Sequence, residues 1–127
     1  MTQNIDAVTT ATLALALDAA SLRQQAIAAN IANHDVAGYV PQTLDFAGQM
    51  EVVRRSLDER GAVDPRALAS VQLRLHPMLD AQGQPQQVHL DAEVADMAQN
   101  ALQYQVLTRA LSRHMAILSS AVNDGKR

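Results

Sequence analysis

Apolar positions recur with a helical period over most of the chain, and this pattern predicts two long helices. In the C-terminal part, apolar residues follow one another at steps of three and four, the spacing of one face of an α-helix. This stripe, in which Thr108 is the single polar member, consists of Val94, Met97, Ala101, Tyr104, Thr108, Leu111, Met115, Leu118 and Val122. Because the repeat is sustained over residues 91–123, it predicts a helix of about 50 Å that needs a partner helix along a left-handed seam.

The N-terminal part carries the same alternating steps and predicts a helix over residues 6–33. The two terminal helices are therefore expected to pair as an antiparallel coiled-coil-like hairpin. The residues expected to pack between helices or between subunits are Leu13, Leu17, Ile27, Ile31, Val94, Met97, Tyr104, Leu111, Met115, Leu118 and Val122.

A sharp turn is predicted where the N-terminal helix ends. Asn33 is a candidate for the left-handed conformation that closes a helix, and Gly38 permits a positive φ. The side-chain amides of Asn30 and Asn33 can bond the free backbone groups at a helix end. Two interpretations stay open: the amides cap the helix locally, or they also fix the turn against a neighbouring helix. The residues assigned to this turn motif are Asn30, Asn33, Gly38, Tyr39, Asp45 and Phe46.

The segment between the terminal helices has a mixed pattern. It is predicted to be extended up to Leu44 and then to form a short helix that Asp45 caps and Gly61 ends. Residues 61–87 are rich in proline and glutamine and are interpreted as a variable insertion, partly extended and partly disordered, with 80–87 the most disordered part. The fold class is thus mainly α. Residues 1–60 and 88–127 form one discontinuous helical domain around the insertion.

Composition narrows the function. Apolar residues make up 48% of the 127, but the aromatic residues are only Tyr39, Phe46 and Tyr104. The net charge is −3 and no basic block occurs, so nucleic acid is not an expected partner. The apolar run Ala11–Leu17 is too short to span a bilayer and follows no Lys or Arg, so neither bilayer insertion nor a cleaved signal peptide is expected.

The sequence contains few residues in a pattern that could support catalysis or metal binding. The chain has no cysteine, and its four histidines show no metal-ligand spacing. Glu93 and Asp96 are interpreted as acidic residues that favour the positive end of a helix dipole. No enzyme activity, metal or cofactor is expected. Arg109 and Arg113, one turn apart, are either a solvated face or partners for acidic groups on a neighbouring subunit.

Both terminal helices carry a second set of apolar positions that a two-helix hairpin cannot bury. On the N-terminal helix these are Leu15, Leu22, Ala26 and Ala29, and on the C-terminal helix they are Ala98, Leu102, Val106, Ala110, Ile117 and Ala121. Either other chains cover this surface, which is the favoured interpretation, or the middle segment closes over it.

The stretch from Ala29 to Tyr39, AN-I-AN-HDVA-GY, resembles the A-N-N-I-A-N-x-x-T-P-G-Y pattern of the axial proteins of the bacterial flagellum, the rod and hook subunits. Val36-Ala37 stands where that family has Thr-Pro. Asp45-Phe46 after Tyr39 is similar to the rod version of the pattern. In the C-terminal part, LDAE from Leu90, MAQN from Met97 and YQ from Tyr104 are similar to the proximal rod proteins, as is the chain length.

This resemblance implies a structural subunit that polymerises through its terminal helices into the proximal rod and transmits torque. It further implies a location in the periplasmic rod of the basal body, contacts with other rod and basal-body components, and export from the cytoplasm by the flagellar type III apparatus without cleavage. A cytosolic coiled-coil adaptor or export chaperone that binds a client helix is the alternative. Such a protein would share the heptad repeat of the long helices but would not need the turn formed by Asn33, Gly38 and Tyr39.

Overall fold

The computed structural model describes residues Thr2–Lys126 and is dominated by its two terminal helices, which pack against each other. In chain order the elements are α1 (Thr2–Ala32), β1 (Gln42–Leu44), α2 (Phe46–Gln49), α3 (Glu51–Arg60), α4 (Pro65–Ala69), β2 (Leu75–Pro77) and α5 (Leu90–Asp124). The prediction of a mainly α chain with paired terminal helices is confirmed. Met1 and Arg127, the outer ends of the predicted helical domain, lie outside the described residues.

The pair of α1 and α5 is antiparallel. At one end Asn30 of α1 meets Glu93 of α5, and at the other end His114 of α5 meets the backbone of Asp6. The buried residues of α1 in the interface include three alanines, Ala19, Ala20 and Ala26, together with Ile27. Alanines allow two helix axes to approach closely, which suits a chain with few bulky residues.

The seam of α5 differs from the predicted stripe. The side chains of α5 that are buried or half-buried are Glu93, Met97, Asn100, Leu107, Leu111, His114 and Leu118. Only Met97, Leu111 and Leu118 belong to both sets. The difference arises because α5 is apolar on several sides, and the buried hydrogen bonds of Glu93 and Asn100 select the face that meets α1.

The end of α1 also differs from its prediction in one detail. No described residue other than glycine has a positive φ, so Asn33 does not take the left-handed conformation. Its side-chain Nδ2 instead donates to the Ala29 carbonyl at 2.8 Å and caps the last turn. Gly38, at φ 79°, supplies the left-handed residue that redirects the chain.

The middle segment packs onto α1. Strands β1 and β2 pair antiparallel with Thr43 opposite His76, and β1 lies against α1. Leu68 of α4 is buried and shares a groove with Val8 and Leu15 of α1. The middle segment therefore covers part of the second apolar face of α1, whereas the second face of α5 stays open.

Local hydrogen bonds order the short elements. The Asp45 carboxylate accepts from the Gly48 amide at 2.9 Å and caps α2, and Gly61 ends α3 in the left-handed conformation. Residues 80–86, where composition predicted disorder, form a hydrogen-bonded turn. The Asp80 carboxylate accepts from the amides of Gln82 and Gln84, which is a local turn chemistry that a composition argument does not capture.

Helix α1 is long and apolar enough over Asn4–Ala32 to cross a membrane, judged by length and composition alone. This helix is much longer than the apolar run Ala11–Leu17, which by itself is too short to span a bilayer. In the structure one side of it packs on α5 and another side on β1 and α4.

Candidate assembly interface

Asn30 is the centre of a buried hydrogen-bond network at the junction of α1, the turn and α5. Its side chain is 1% exposed. Its Oδ1 accepts from the Tyr39 hydroxyl at 2.7 Å and from the Gln42 amide at 3.0 Å. Its Nδ2 donates to the Gln42 carbonyl at 2.9 Å and to the Glu93 carboxylate at 3.3 Å. Both donors and the acceptor of the amide are thus used. We call Asn30, Tyr39, Gln42 and Glu93 the polar hub.

The polar hub fixes the direction of the chain after α1. Since one amide bonds the turn, strand β1 and helix α5 at once, a change in any of these elements leaves a buried polar group unpaired. Burial and the nearby charge of Glu93 both raise the pKa of Tyr39, which keeps its hydroxyl protonated as a donor. The two asparagines therefore differ: Asn33 caps the helix locally, and Asn30 also ties the turn to a neighbouring helix.

The remaining residues of the turn motif lie in two places. Gly38 is exposed and sets the backbone path towards Tyr39, whereas Asp45 and Phe46 stand at the start of α2 beyond β1. Asp45 acts as a cap and Phe46 is half-buried. The structure thus places Asp45 and Phe46 outside the polar hub.

A second buried amide links the helices near their middle. Asn100 of α5 is 3% exposed, and its Nδ2 donates to the Ala20 carbonyl and to Gln24 Oε1, each at 2.8 Å. Its Oδ1 is buried and has no hydrogen-bond partner among the residues that the structure describes. Glu93, Asn100, Leu107 and His114 lie seven residues apart in succession, all on the seam. Polar residues at heptad spacing do not by themselves indicate a seam, because the seam positions of a coiled coil are apolar, so the sequence carried no signal for this face.

The predicted packing residues divide into those inside the hairpin and those outside it. Ile27 is buried. Those that are half-buried are Leu13, Leu17, Ile31, Met97, Leu111 and Leu118. Those that are exposed are Val94, Tyr104, Met115 and Val122. The buried and half-buried residues therefore pack within the single chain, whereas the exposed residues remain available for contacts with other chains.

The solvent-facing side of α5 carries further large apolar residues in line with two arginines. We call Leu102, Val106, Arg109, Arg113 and Ile117 the outer stripe; they follow one another at steps of three and four. Val106 is 65% exposed and Ile117 is 59% exposed. Neither arginine forms an ion pair within Thr2–Lys126, where the charged pairs involve only His34, Arg54 and Arg60 as donors.

Within the described part of the chain, no cluster of histidine and acidic side chains is arranged to hold a metal ion. The ring of His34 contacts the Ile31 carbonyl and Asp35, and the ring of His76 contacts Gln49. These rings make local contacts at the surface.

Two residues of the polar hub, Asn30 and Tyr39, lie in a segment that matches a known protein family. Residues 11–39, which comprise most of α1 and the turn up to Tyr39, match the family described as flagella basal body rod protein. The flagellar basal body rod protein FlgB of Escherichia coli is 32% identical over 127 residues, covering 87% of this chain and 89% of the relative. FlgB of Salmonella typhimurium is 31% identical over 123 residues, with the same coverage. The chain belongs to the FlgB family of flagellar basal body rod proteins.

Membership of the FlgB family settles the choice between the two functional interpretations. The chain is a structural subunit of the basal-body rod, it is located in the flagellar basal body, and it assembles with other rod and basal-body components. Its FlgB relatives are structural proteins. The interpretation as a cytosolic adaptor or chaperone is therefore set aside.

Proposed function

We propose that this chain polymerises into the proximal rod by burying the exposed apolar side of α5 against neighbouring subunits. The observation that carries the proposal is the exposure of large apolar side chains along the whole of α5. These are Leu90, Val94, Leu102, Tyr104, Val106, Met115, Ile117 and Val122. Patches of this extent mark interaction surfaces.

The size of this surface is sufficient for assembly. Full burial of one large aliphatic side chain contributes about 1.5–3 kcal/mol, whereas association costs about 4–15 kcal/mol. One or two such residues cannot hold a subunit in place. Four or more of them, covered together along a 35-residue helix, can do so.

The middle segment does not compete for this surface. Elements β1 and α4 pack on α1, and α5 has its packing contacts with α1. The alternative to intermolecular burial is a closed bundle in which the middle segment covers the second apolar faces. The middle segment covers such a face only on part of α1. This arrangement supports the proposal that neighbouring chains cover α5.

We propose further that the helical pair transmits torque. Under torsion two smooth apolar helices can slide along each other. Here the bonds from Asn30 to Glu93 and from Asn100 to Ala20 hold the axial register, because sliding would leave buried polar groups without partners. Catalysis is no part of the proposed role.

Export through the flagellar type III apparatus is also proposed, without insertion into the bilayer. The chain has no cysteine, so unfolding for passage breaks no disulfide. Helices reform within about a microsecond. Although α1 has the length and composition of a spanning helix, Asp6, Asp18 and Arg23 within it would be costly in lipid.

The test is to isolate basal bodies from the native host and from a deletion strain. We expect the chain to copurify with wild-type basal bodies, to have an unprocessed N-terminus by mass spectrometry, and to be needed for the rod that electron microscopy shows. Recovery of the chain only in the soluble fraction, with intact rods in the deletion strain, would overturn the proposal.

A further inference from the structure

A polar cleft opens beside the polar hub, between α1, β1 and α5. Its volume is about 310 Å³, and its lining includes Arg23, Ile27, Leu44, Glu93, Asp96 and Asn100. We call it the acidic cleft, because it holds two carboxylates and one guanidinium. It therefore has room for one more positive charge.

The acidic cleft presents carboxylates that form no ion pair within the described residues, although Arg23 also lines the cleft. Glu93 is buried, and its carboxylate is bonded to the neutral amide of Asn30. Neither Glu93 nor Asp96 forms an ion pair within Thr2–Lys126. A buried carboxylate without a positive partner is costly, so this arrangement favours a cationic ligand.

A third acceptor is independent of the two acids. Asn100 lines the acidic cleft, and its buried Oδ1 has no hydrogen-bond partner within the described residues. Its Nδ2 donates to Gln24 across the seam. The two carboxylates beside this amide fit a guanidinium, which has five donors and retains its charge.

The outer stripe holds the complementary groups. Arg109 and Arg113 lie two positions from Leu111 on either side, about 200° around the helix, so they point away from α1. They are flanked by Val106 and Ile117, both well exposed. An apolar surface with unpaired arginines at its centre matches a cleft whose walls combine apolar residues with acids.

We infer that in the assembled rod one arginine of the pair Arg109–Arg113 enters the acidic cleft of the next copy of this chain. This inference rests on the proposed function and names the contact between subunits. Positions 96 and 109 are 13 residues apart and positions 96 and 113 are 17 apart. At 1.5 Å per residue, the α5 helices of adjacent copies run side by side with an axial offset of about 20–26 Å.

Engineered cysteines test this contact, since the natural chain has none to interfere. The variant carries Asp96→Cys together with Arg109→Cys or Arg113→Cys and is treated in purified basal bodies with a short bismaleimide. The two positions are too far apart on one helix to be linked within a chain, so a product with twice the mass of the chain joins two copies. The matched control pairs Asp96→Cys with Thr108→Cys, which is exposed and lies about 100° from Arg109 and about 140° from Arg113 around α5.

We expect linked dimers from at least one arginine position and loss of them in the control. Basal bodies that contain the variant chain but give no dimer, or as much dimer in the control, would overturn the inference while the proposed function stands. Absence of the chain from basal bodies would overturn the proposed function and this inference together.

A charge exchange provides a second readout that needs no crosslink. We expect Arg109→Asp with Arg113→Asp to reduce the amount of the chain in basal bodies, and Asp96→Arg on the same chain to restore it. Asp96 has no hydrogen bond or ion pair within the described residues, so its substitution leaves the polar hub intact. Loss in the first variant without recovery in the second would contradict a pairing between these groups.

Discussion

The amide of Asn30 and the carboxylate of Glu93 lie 3.3 Å apart and join the two terminal helices across 63 positions of sequence. The bond is formed at the point where α1 gives way to the turn, so it couples the direction of the chain to the register of the helix pair. A buried amide whose donors and acceptor are all used has no substitute among the other side chains.

The first prediction concerns the two asparagines of the turn motif. We expect Asn30→Ala to lower the free energy of unfolding by about 1–3 kcal/mol, because it leaves Tyr39, Gln42 and Glu93 with unpaired groups. Asn33→Ala is the matched control, since it removes one hydrogen bond near the surface and should cost about 1 kcal/mol or less. Urea unfolding followed by circular dichroism measures both. Equal losses in the two variants would contradict the central role of Asn30.

The second prediction separates the inside of the hairpin from its outside. Leu111→Asp places a carboxylate in the seam with α1 and is expected to cost about 3 kcal/mol of stability. Ile117→Asp alters only an exposed position of the outer stripe, so the isolated chain should change by about 0.5 kcal/mol or less. Both variants should abolish swimming, the first through folding and the second through assembly.

Soft-agar motility together with unfolding of the isolated chain distinguishes these two causes. If the Ile117→Asp strain swims normally, the outer stripe is not an assembly surface. If Ile117→Asp unfolds the isolated chain, its side chain is packed within the monomer, which its exposure contradicts.

The third prediction follows from the raised pKa of Tyr39. Since burial and Glu93 raise this pKa above its value in the unfolded chain, the stability from the neutral hydroxyl is fully present below about pH 10. That stability is lost as the pH rises through the folded-state pKa. Ultraviolet titration of the folded chain should show the shift, and Tyr104→Phe leaves Tyr39 as the sole tyrosine. An ordinary pKa in that variant would contradict the buried environment of the hydroxyl.

The fourth prediction concerns the cap of α2. A Cβ at Gly48 would clash with the Asp45 carboxylate, so Gly48→Ala displaces the cap and should cost about 1 kcal/mol. In an Asp45→Ala background the same substitution should be neutral or stabilising, because alanine favours a helix over glycine. Thermal unfolding of the natural chain, the two single variants and the double variant measures the coupling between positions 45 and 48. Additive effects would show that the clash is relieved elsewhere.

The sequence pattern was sufficient for the two long helices and for the site of the turn, because helical periodicity and an Asn-Gly-Tyr sequence are local signals. It was not sufficient for the seam of α5. This helix has apolar residues on several sides, so periodicity alone could not decide which of them meets α1. Glu93 and Asn100 decide it through hydrogen bonds to residues of α1, and such pairings over long sequence separations are visible only in the fold.

The contacts of the polar hub also could not be predicted in full from the sequence. Asn30 was identified from its position at a helix end, but its bond to the backbone of Gln42 depends on how β1 folds back along α1. The order of residues 80–86 likewise rests on hydrogen bonds to the Asp80 carboxylate and between backbone groups, which composition does not indicate.

The central claim is that other subunits cover the outer side of α5 in the rod. Thiol labelling tests it most directly, because a cysteine introduced into this cysteine-free chain is the only reactive thiol. Ile117→Cys should react rapidly in the isolated chain and be protected in purified basal bodies, whereas Glu59→Cys on α3 should react in both. Equal labelling of position 117 in the isolated chain and in the basal body would contradict the account.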